Sequence, residues 1–222
     1  MMISRETIYR PTTVSFFSDP ICPWTWITSR WLVEVAEARS IGIEWRALSL
    51  AQLNGGVDRM PEQYQEAGRF SMRALRMMEA MRAEGAGRYI GRFYTELGTR
   101  LHVDREQVGT DLLHRAAEAA GVSAYLPASD DRYWDHAVAE STATAMRLAG
   151  PDVGSPVLQL GNQNWGFHGP IVSPAPQGEY ALQLWDGLVA LARVPGFYEL
   201  KHGRSGAPQI QPQEAGAMDR VR

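Results

Sequence analysis

The stretch TVSFFSDPICPWTWITSRWL changes from the pattern of a buried strand to that of a helix within a few residues. Thr13–Phe17 is β-branched and aromatic, as buried strands are, and the SDP run after it breaks the strand. Pro23 suits the first turn of a helix, so we expect the helix to begin near Cys22 and to end at Gly42. Ile43–Leu48 alternates like a second strand. The region is therefore predicted to be a β-α-β unit whose helix opens on a cysteine.

A long segment after this unit, Pro61–Ala149, has a purely helical pattern. Apolar side chains recur at helical spacing in Ile90–Leu101, which predicts one continuous helix there. Asp104 is expected to cap the next helix at its start, and Gly121 to stop it. A helical block of this size between strand-bearing segments indicates an insertion into another fold.

Strands return after the helical block. Gly154–Leu160 and Asn164–Phe167 flank a Gly-Asn turn and predict a hairpin, and Glu179–Ala192 predicts a last amphipathic helix. This order of elements predicts an α/β protein: a thioredoxin fold (β-α-β … β-β-α) interrupted by an all-helical insertion. The predicted parts are a leader (1–12), a first half (13–58), the helical insertion (59–150), a second half (151–202) and a flexible tail (203–222).

Composition excludes several functional classes. The chain has 222 residues and a formal net charge of −3, which gives no electrostatic reason to expect nucleic acid or an anionic membrane as a partner. Neither a secretory signal nor a membrane span is recognisable, so we expect a cytoplasmic protein. Cys22 is the single cysteine, and an intramolecular disulfide is therefore impossible.

The segments FFSDPICPWTWITSRWL and GSPVLQL…GFHGPIVS resemble the DsbA superfamily over residues 13–200. Within it they are most similar to the actinobacterial mycothiol-dependent nitroreductase-like proteins. The branch of 2-hydroxychromene-2-carboxylate isomerase and kappa-class glutathione transferase is more distant. The resemblance implies that Cys22 is the attacking cysteine and that Ser155 and Pro156 form the cis-proline segment against it. Thr25 departs from the family pattern, because the close relatives carry a second cysteine there.

The expected chemistry centres on the Cys22 thiolate. Unpaired N–H groups and the dipole at a helix N-terminus stabilise a thiolate, so we expect a lowered thiol pKa and a further hydrogen bond from the Thr25 hydroxyl. Asp19 either tunes this pKa or opens the turn. The plainer alternative is a buried, inert thiol. The residues expected to bind substrate or thiol are Asp19, Pro23, Trp24, Trp26, Ser155 and Pro156, although Trp26 fits the core equally well.

A single thiolate without a resolving cysteine leaves two enzymatic reactions. One is cis/trans isomerisation of a conjugated or aromatic small molecule by reversible addition, of a kind suited to secondary metabolism, with His168 as a proton donor or a surface histidine. The other is a monothiol redox or transfer cycle resolved by mycothiol or another low-molecular-weight thiol. A non-catalytic binding module is the third hypothesis. We favour isomerisation, because Thr25 removes the redox partner and leaves the nucleophile.

Other features carry less information. The helix that contains Arg69, Arg73 and Arg76 beside several methionines is either a ligand pocket with a basic mouth or, as we favour, an amphipathic helix. No histidine spacing indicates a metal site, and no obligatory cofactor is expected. Whether the substrate is free or carrier-tethered and whether the chain forms a homodimer stay open.

Overall fold

The computed structural model describes residues 11–212, so parts of the predicted leader (1–12) and tail (203–222) lie outside the described residues. The strands in the described part are β1 (Thr13–Ser18), β2 (Gly42–Ala47), β3 (Val157–Leu160) and β4 (Phe167–His168). The α-helices are α1 (Pro23–Arg39), α2 (Leu50–Leu53), α3 (Glu62–Ala83), α4 (Ile90–Gly98), α5 (Thr110–Ala120), α6 (Asp135–Ala149) and α7 (Gly178–Ala192). None of the helices in this part of the chain is long and apolar enough to cross a bilayer.

The strands form one sheet in the order β2-β1-β3-β4. β1 and β2 are parallel and joined by α1, whereas β3 is antiparallel to both β1 and β4. This arrangement confirms the predicted thioredoxin fold with helices α2 to α6 inserted between its halves. Phe17 at the end of β1 pairs with Val157 at the start of β3. The antiparallel register therefore brings the segment that precedes β3 beside the segment that follows β1.

Helix α1 begins and ends by well-defined local interactions. Cys22 is its N-cap residue, in an extended conformation, and Pro23 occupies the first helical position. Ser40 ends the helix with a left-handed φ of 55°, and the N–H of Ile41 donates to the Ala36 carbonyl at 2.9 Å. The predicted stop at Gly42 is wrong, because Gly42 is already the first residue of β2.

The helical insertion confirms the prediction for this region, with one break. α4 ends at Gly98 and passes into a π-helical turn, Thr99–Val103, instead of continuing through Leu101. Asp104 closes this turn and does not cap α5, so the cap prediction is wrong. Gly121 stops α5 with a φ of 72°, as predicted. The π-helical turn carries a side chain of the active site, described below.

The insertion and the sheet share one hydrophobic core. The Trp45 ring of β2 lies 5.3 Å from the Phe16 ring of β1, edge to face, and 4.8 Å from the Tyr94 ring of α4. On the other side of this core, the Trp31 indole N–H of α1 donates to the Ala181 carbonyl of α7 at 2.9 Å. The Tyr94 ring also lies 6.2 Å from the Trp26 ring of α1, so the insertion supports the position of α1.

Helix α3 is amphipathic, as we favoured. Its arginines Arg73 and Arg76 form ion pairs with Asp130 at 2.9 Å and with Asp135 at 2.7 Å. Five apolar side chains of its other face are at most 4% exposed and belong to the core, as expected for an amphipathic helix. These side chains are Phe70, Leu75, Met77, Met78 and Met81.

Candidate active site

The Cys22 thiol lies at the N-terminus of α1, at the end of the loop that joins β1 to this helix. The Cys22 N–H donates to the Asp19 carbonyl at 3.1 Å, and its carbonyl accepts the Trp26 N–H at 3.0 Å. Pro23 has no N–H, so the first free amides of the helix are those of Trp24 and Thr25, and both act on the thiol. The residue is 8% exposed, which leaves a small opening to solvent.

The segment before β3 lies directly against this thiol. Cys22 Sγ–H donates to the Ser155 carbonyl at 3.7 Å, and the Ser155–Pro156 peptide bond is cis. Pro156 is buried behind it, and its carbonyl accepts the Gly169 N–H at 2.9 Å. The structure thus brings together the two segments that the resemblance paired. Their catalytic roles remain predictions.

Thr25 occupies the place of a resolving cysteine and is fully buried. Its hydroxyl donates to Ser155 Oγ at 2.8 Å, and the Asp19 N–H donates to the same oxygen at 2.9 Å. This hydroxyl also lies close enough to the Cys22 thiol to lower its pKa. Thr25 therefore joins α1 to the Ser155 segment by hydrogen bonds and offers no sulfur to the thiol.

Asp19 is a structural carboxyl rather than a substrate contact, which corrects our expectation. It is fully buried and accepts hydrogen bonds from Ser71 Oγ at 2.5 Å, the Leu50 N–H at 2.8 Å and the Ile21 N–H at 3.1 Å. Burial raises the pKa of Asp19, while these three donors lower it. Because the donors come from α2, α3 and the loop itself, Asp19 holds the loop that presents Cys22.

The expected lowering of the thiol pKa is wrong for this arrangement. Burial raises the pKa of Cys22 above its usual value, and the charge of Asp19 raises it further. Hydrogen bonds from the Thr25 side chain and from the Thr25 and Trp24 amides act in the opposite direction. Desolvation is the largest of these effects, so the resting group at neutral pH is a thiol.

We expect the rate of Cys22 alkylation by iodoacetamide to rise with pH, with a midpoint above the free-thiol value of about 8.5. Only the thiolate reacts, and a raised pKa lowers its fraction at neutral pH. Thr25→Val removes a hydroxyl that lowers the pKa and should move the midpoint higher still. Intact mass measured over a pH series checks both, with the urea-unfolded protein as the control. A midpoint in the folded protein below about 8 would contradict this assignment.

The two tryptophans near the thiol have different environments. Trp24 is half-buried, with the Arg204 guanidinium 5.0 Å from the centre of its ring. Trp26 is 1% exposed, with the Arg30 guanidinium 4.2 Å from its ring centre. The expectation that Trp26 lines the binding site is therefore wrong, and its alternative as a core residue is confirmed. Trp24 is the aromatic residue available to a ligand.

Sequence reasoning missed His102, which the π-helical turn brings to the loop before Cys22. His102 Nε2 lies 2.8 Å from the Pro20 carbonyl, and its ring stacks on Trp26 with centroids 5.7 Å apart. Burial lowers the pKa of His102 to about 4, so the neutral imidazole donates its Nε2–H to this carbonyl. Pro20 and His102 are 82 residues apart, and no local pattern pointed to this contact.

His168 lies on β4, exposed at the rim of the site. Its Nε2 is 3.6 Å from the position that a Cβ on Gly154 would take, so it stands beside the residue before Ser155. Partial burial lowers the pKa of His168, which favours the neutral imidazole. The structure thus places His168 at the site edge, and its role as a proton donor remains a prediction. No metal-binding cluster of side chains exists among residues 11–212.

A family model and one curated protein match most of this chain. The family model of the Rv2466c-like proteins, described as mycothiol-dependent nitroreductase Rv2466c, matches residues 21–202. The uncharacterized protein Rv2286c of Mycobacterium tuberculosis is 29% identical over 198 residues, which cover 88% of this chain and 84% of that protein.

Two solved structures are similar at low sequence identity. A proposed protein disulfide isomerase from Nitrosomonas europaea has a TM-score of 0.49 at 13% identity, covering 82% of this chain and 98% of its own. A 2-hydroxychromene-2-carboxylate isomerase has a TM-score of 0.47 at 16% identity, covering 82% of this chain and 95% of its own.

Proposed function

The chain belongs to the Rv2466c-like family of mycothiol-dependent nitroreductases, and on that premise we propose that it is a thiol enzyme reacting through Cys22 alone. We propose further that its reaction is the cis/trans isomerisation of a conjugated small molecule. The observation that carries this proposal is the fully buried Thr25 hydroxyl, hydrogen-bonded to Ser155 where a second thiol would stand. Isomerisation needs one nucleophile and no net oxidation or reduction.

The proposed reaction is an addition followed by an elimination. The thiol gives its proton to solvent, and the sulfur of Cys22 bonds to the β-carbon of an α,β-unsaturated carbonyl compound. The double-bond electrons move to the carbonyl oxygen and leave an enolate. The former double bond between the α- and β-carbons is now a single bond, and rotation about it follows. Collapse of this enolate restores the double bond and expels the thiolate, which takes up a proton again. Atoms and electrons balance without a co-reactant.

The surroundings of Cys22 suit this reaction. Amides of Trp24 and Thr25 stabilise the thiolate that leaves at the end of the cycle. The Thr25 hydroxyl has one proton, so it stabilises the thiolate only when it turns from Ser155 Oγ to the sulfur. The half-buried Trp24 offers a flat apolar face to a conjugated ligand. A protonated, 8% exposed resting thiol is also protected from oxidation, which a single cysteine could not reverse within the chain.

A test of the proposal uses cis-benzylideneacetone, an aryl enone whose two isomers differ in ultraviolet absorbance. The protein should convert it to the trans isomer without added thiol, at a rate proportional to protein concentration. Isomerisation that requires stoichiometric consumption of a thiol would contradict the proposal. The same incubation with a nitroaryl compound and mycothiol, followed by thiol titration, tests the alternative below.

Thiol-dependent reduction or transfer is the second candidate, and the family match favours it. Mycothiol would supply the second thiol that the chain lacks. The site fits such a partner, because Cys22 has no competing protein thiol and the Ser155 carbonyl lies against its sulfur, 3.7 Å away. A mass increase of one mycothiol on Cys22 during turnover would favour this candidate over isomerisation.

We expect Thr25→Cys to convert the site into a dithiol. The new thiol would lie one helical turn from Cys22, at the spacing of C-x-x-C motifs. Mild oxidation should lower the intact mass by two hydrogen atoms, whose electrons the added oxidant accepts as the disulfide forms. Thr28→Cys is the matched control, since Thr28 is another buried threonine of α1 whose hydroxyl donates to the Pro170 carbonyl at 2.8 Å. An oxidised form of both variants, or of neither, would contradict the placement of Thr25 as the missing partner.

A further inference from the structure

The chain after α7 returns over the active site; residues 193–212 are called the C-terminal strap. The Phe197 ring lies 6.0 Å from the Phe167 ring of β4, and the Gln209 N–H donates to Ser173 Oγ at 2.7 Å. Ile210 packs against the hydrophobic core. We predicted a flexible tail from Gly203 onward, and these contacts give its described part a defined path along the rim of the site.

The strap places Arg204 on one wall of the site mouth. Its guanidinium lies 5.0 Å from the centre of the Trp24 ring, and Trp24 is two residues from Cys22. Arg204 is exposed and forms no ion pair with any residue in the described range 11–212. An aromatic face thus holds the cation in position while its N–H donors are left for another partner.

The strap also lies near His168 of β4. Partial burial lowers the pKa of His168, the charge of Arg204 lowers it further, Glu199 raises it and Lys201 lowers it. His168 stands beside Gly154, which precedes the segment whose carbonyl accepts the Cys22 thiol. Arg204 and Lys201 therefore lie near His168 together with one acidic residue, Glu199, and the charges of these three residues sum to a net positive value.

We infer that Arg204 binds a carboxylate of the substrate, so that the site takes an anionic conjugated molecule with its planar part along Trp24 and its reactive carbon at Cys22. A guanidinium binds a carboxylate through two parallel N–H···O bonds, which fixes the orientation of the ligand as well as its charge. The planar part of the ligand packs against the apolar surface of Trp24 that the guanidinium leaves uncovered. This inference names the substrate class of the proposed reaction and rests on Cys22 as its reacting group.

The test compares two alkylating reagents of similar size, iodoacetate, which carries a carboxylate, and iodoacetamide, which is neutral. The rate constant for iodoacetate is divided by that for iodoacetamide, both measured at Cys22 by intact mass at one pH. This ratio does not depend on the thiolate fraction, because the fraction is the same for both reagents. In Arg204→Gln this ratio should fall about two- to fivefold at low ionic strength, as expected for the loss of one nearby charge. The difference should shrink in on the order of 0.5 M salt, because added ions screen the charge.

Arg132→Gln is the matched control, because Arg132 is an exposed arginine of the insertion with its side chain 86% exposed. It changes the net charge equally and should leave the ratio unchanged. An equal fall in both variants, no fall in Arg204→Gln, or faster reaction with both reagents alike would overturn the inference. The last result would make the strap a simple cover.

The same alkylation experiment distinguishes a failure of the proposed function from a failure of this inference alone. If neither reagent modifies Cys22 in the folded protein but both do so after unfolding, the proposed function and the inference are both wrong. If both reagents react and their ratio does not depend on Arg204, only the inference is wrong.

Discussion

Cys22→Ser is expected to lower the activity by a factor on the order of a thousand or more, whichever of the two proposed reactions the protein performs. No other cysteine exists in the chain to replace the nucleophile. A serine hydroxyl can still donate to the Ser155 carbonyl, but it does not ionise near neutral pH. Initial rates with cis-benzylideneacetone, and with a nitroaryl compound plus mycothiol, measure the effect.

The control for this variant is its stability. Serine differs from cysteine by one atom, and the N-cap position of α1 accepts serine well, so the melting temperature should change little. A folded Cys22→Ser variant that keeps more than about a tenth of either activity would exclude covalent catalysis. If the wild-type protein catalyses neither reaction, the third hypothesis, a non-catalytic binding module, is favoured.

Gly98→Ala is expected to have the largest effect on stability. A Cβ at this position of α4 would overlap the Cε3 and Cζ3 atoms of Trp26. Trp26 cannot retreat freely, because the His102 ring stacks on it and the Arg30 guanidinium lies 4.2 Å from its ring centre. We expect the free energy of unfolding to fall by about 3 kcal/mol, the upper range for an overpacked core.

The measurement is thermal and urea-induced unfolding. For a chain of this length, 3 kcal/mol corresponds to a melting temperature lower by roughly 6–12 °C. Gly187→Ala is the matched control, since Gly187 lies within α7 and a Cβ there meets no atom within 4 Å. Alanine is the better helix former, so this variant should be as stable as the wild type or slightly more stable. Equal stability of the two variants would contradict the packing argument.

Gly98→Ala should also disturb the loop that precedes Cys22. Displacement of Trp26 moves the ring on which His102 stacks, and His102 holds the Pro20 carbonyl two residues before Cys22. The contact between Gly98 and Trp26 could not be predicted from the sequence, where Gly98 lies within the helical pattern of Ile90–Leu101 and only its lack of a side chain is apparent.

Local patterns were enough for the architecture. The side-chain pattern changes from that of a strand to that of a helix and back between Thr13 and Leu48, and this change predicted the β-α-β unit. Gly121 predicted the end of α5 at the right residue. They failed at Gly42, because α1 already ends at Ser40, and at Asp104, because α5 begins after Gly109. Such boundaries depend on small differences in backbone energy that packing decides.

The candidate site at Cys22 could be proposed from the sequence, because several of its residues are neighbours in the chain. Cys22, Thr25 and Trp24 lie within four residues, and the start of an α-helix presents them together. His102 and Arg204 could not be found in this way. Their partners Pro20 and Trp24 are distant in sequence, and only the path of the π-helical turn and of the C-terminal strap brings them near.

The amino-acid sequence by itself determined the fold, the presence of one cysteine and the absence of a second thiol, since periodicity and residue identity are properties of the chain. Only the tertiary structure decided the protonation of that cysteine. A helix N-terminus lowers a thiol pKa by an interaction within the chain's own first turn. The desolvation that raises the pKa of Cys22 comes from the layers packed around the thiol, and the charge of the buried Asp19 raises the pKa further. Burial is a property of the whole assembly, so no local pattern could predict which effect is larger.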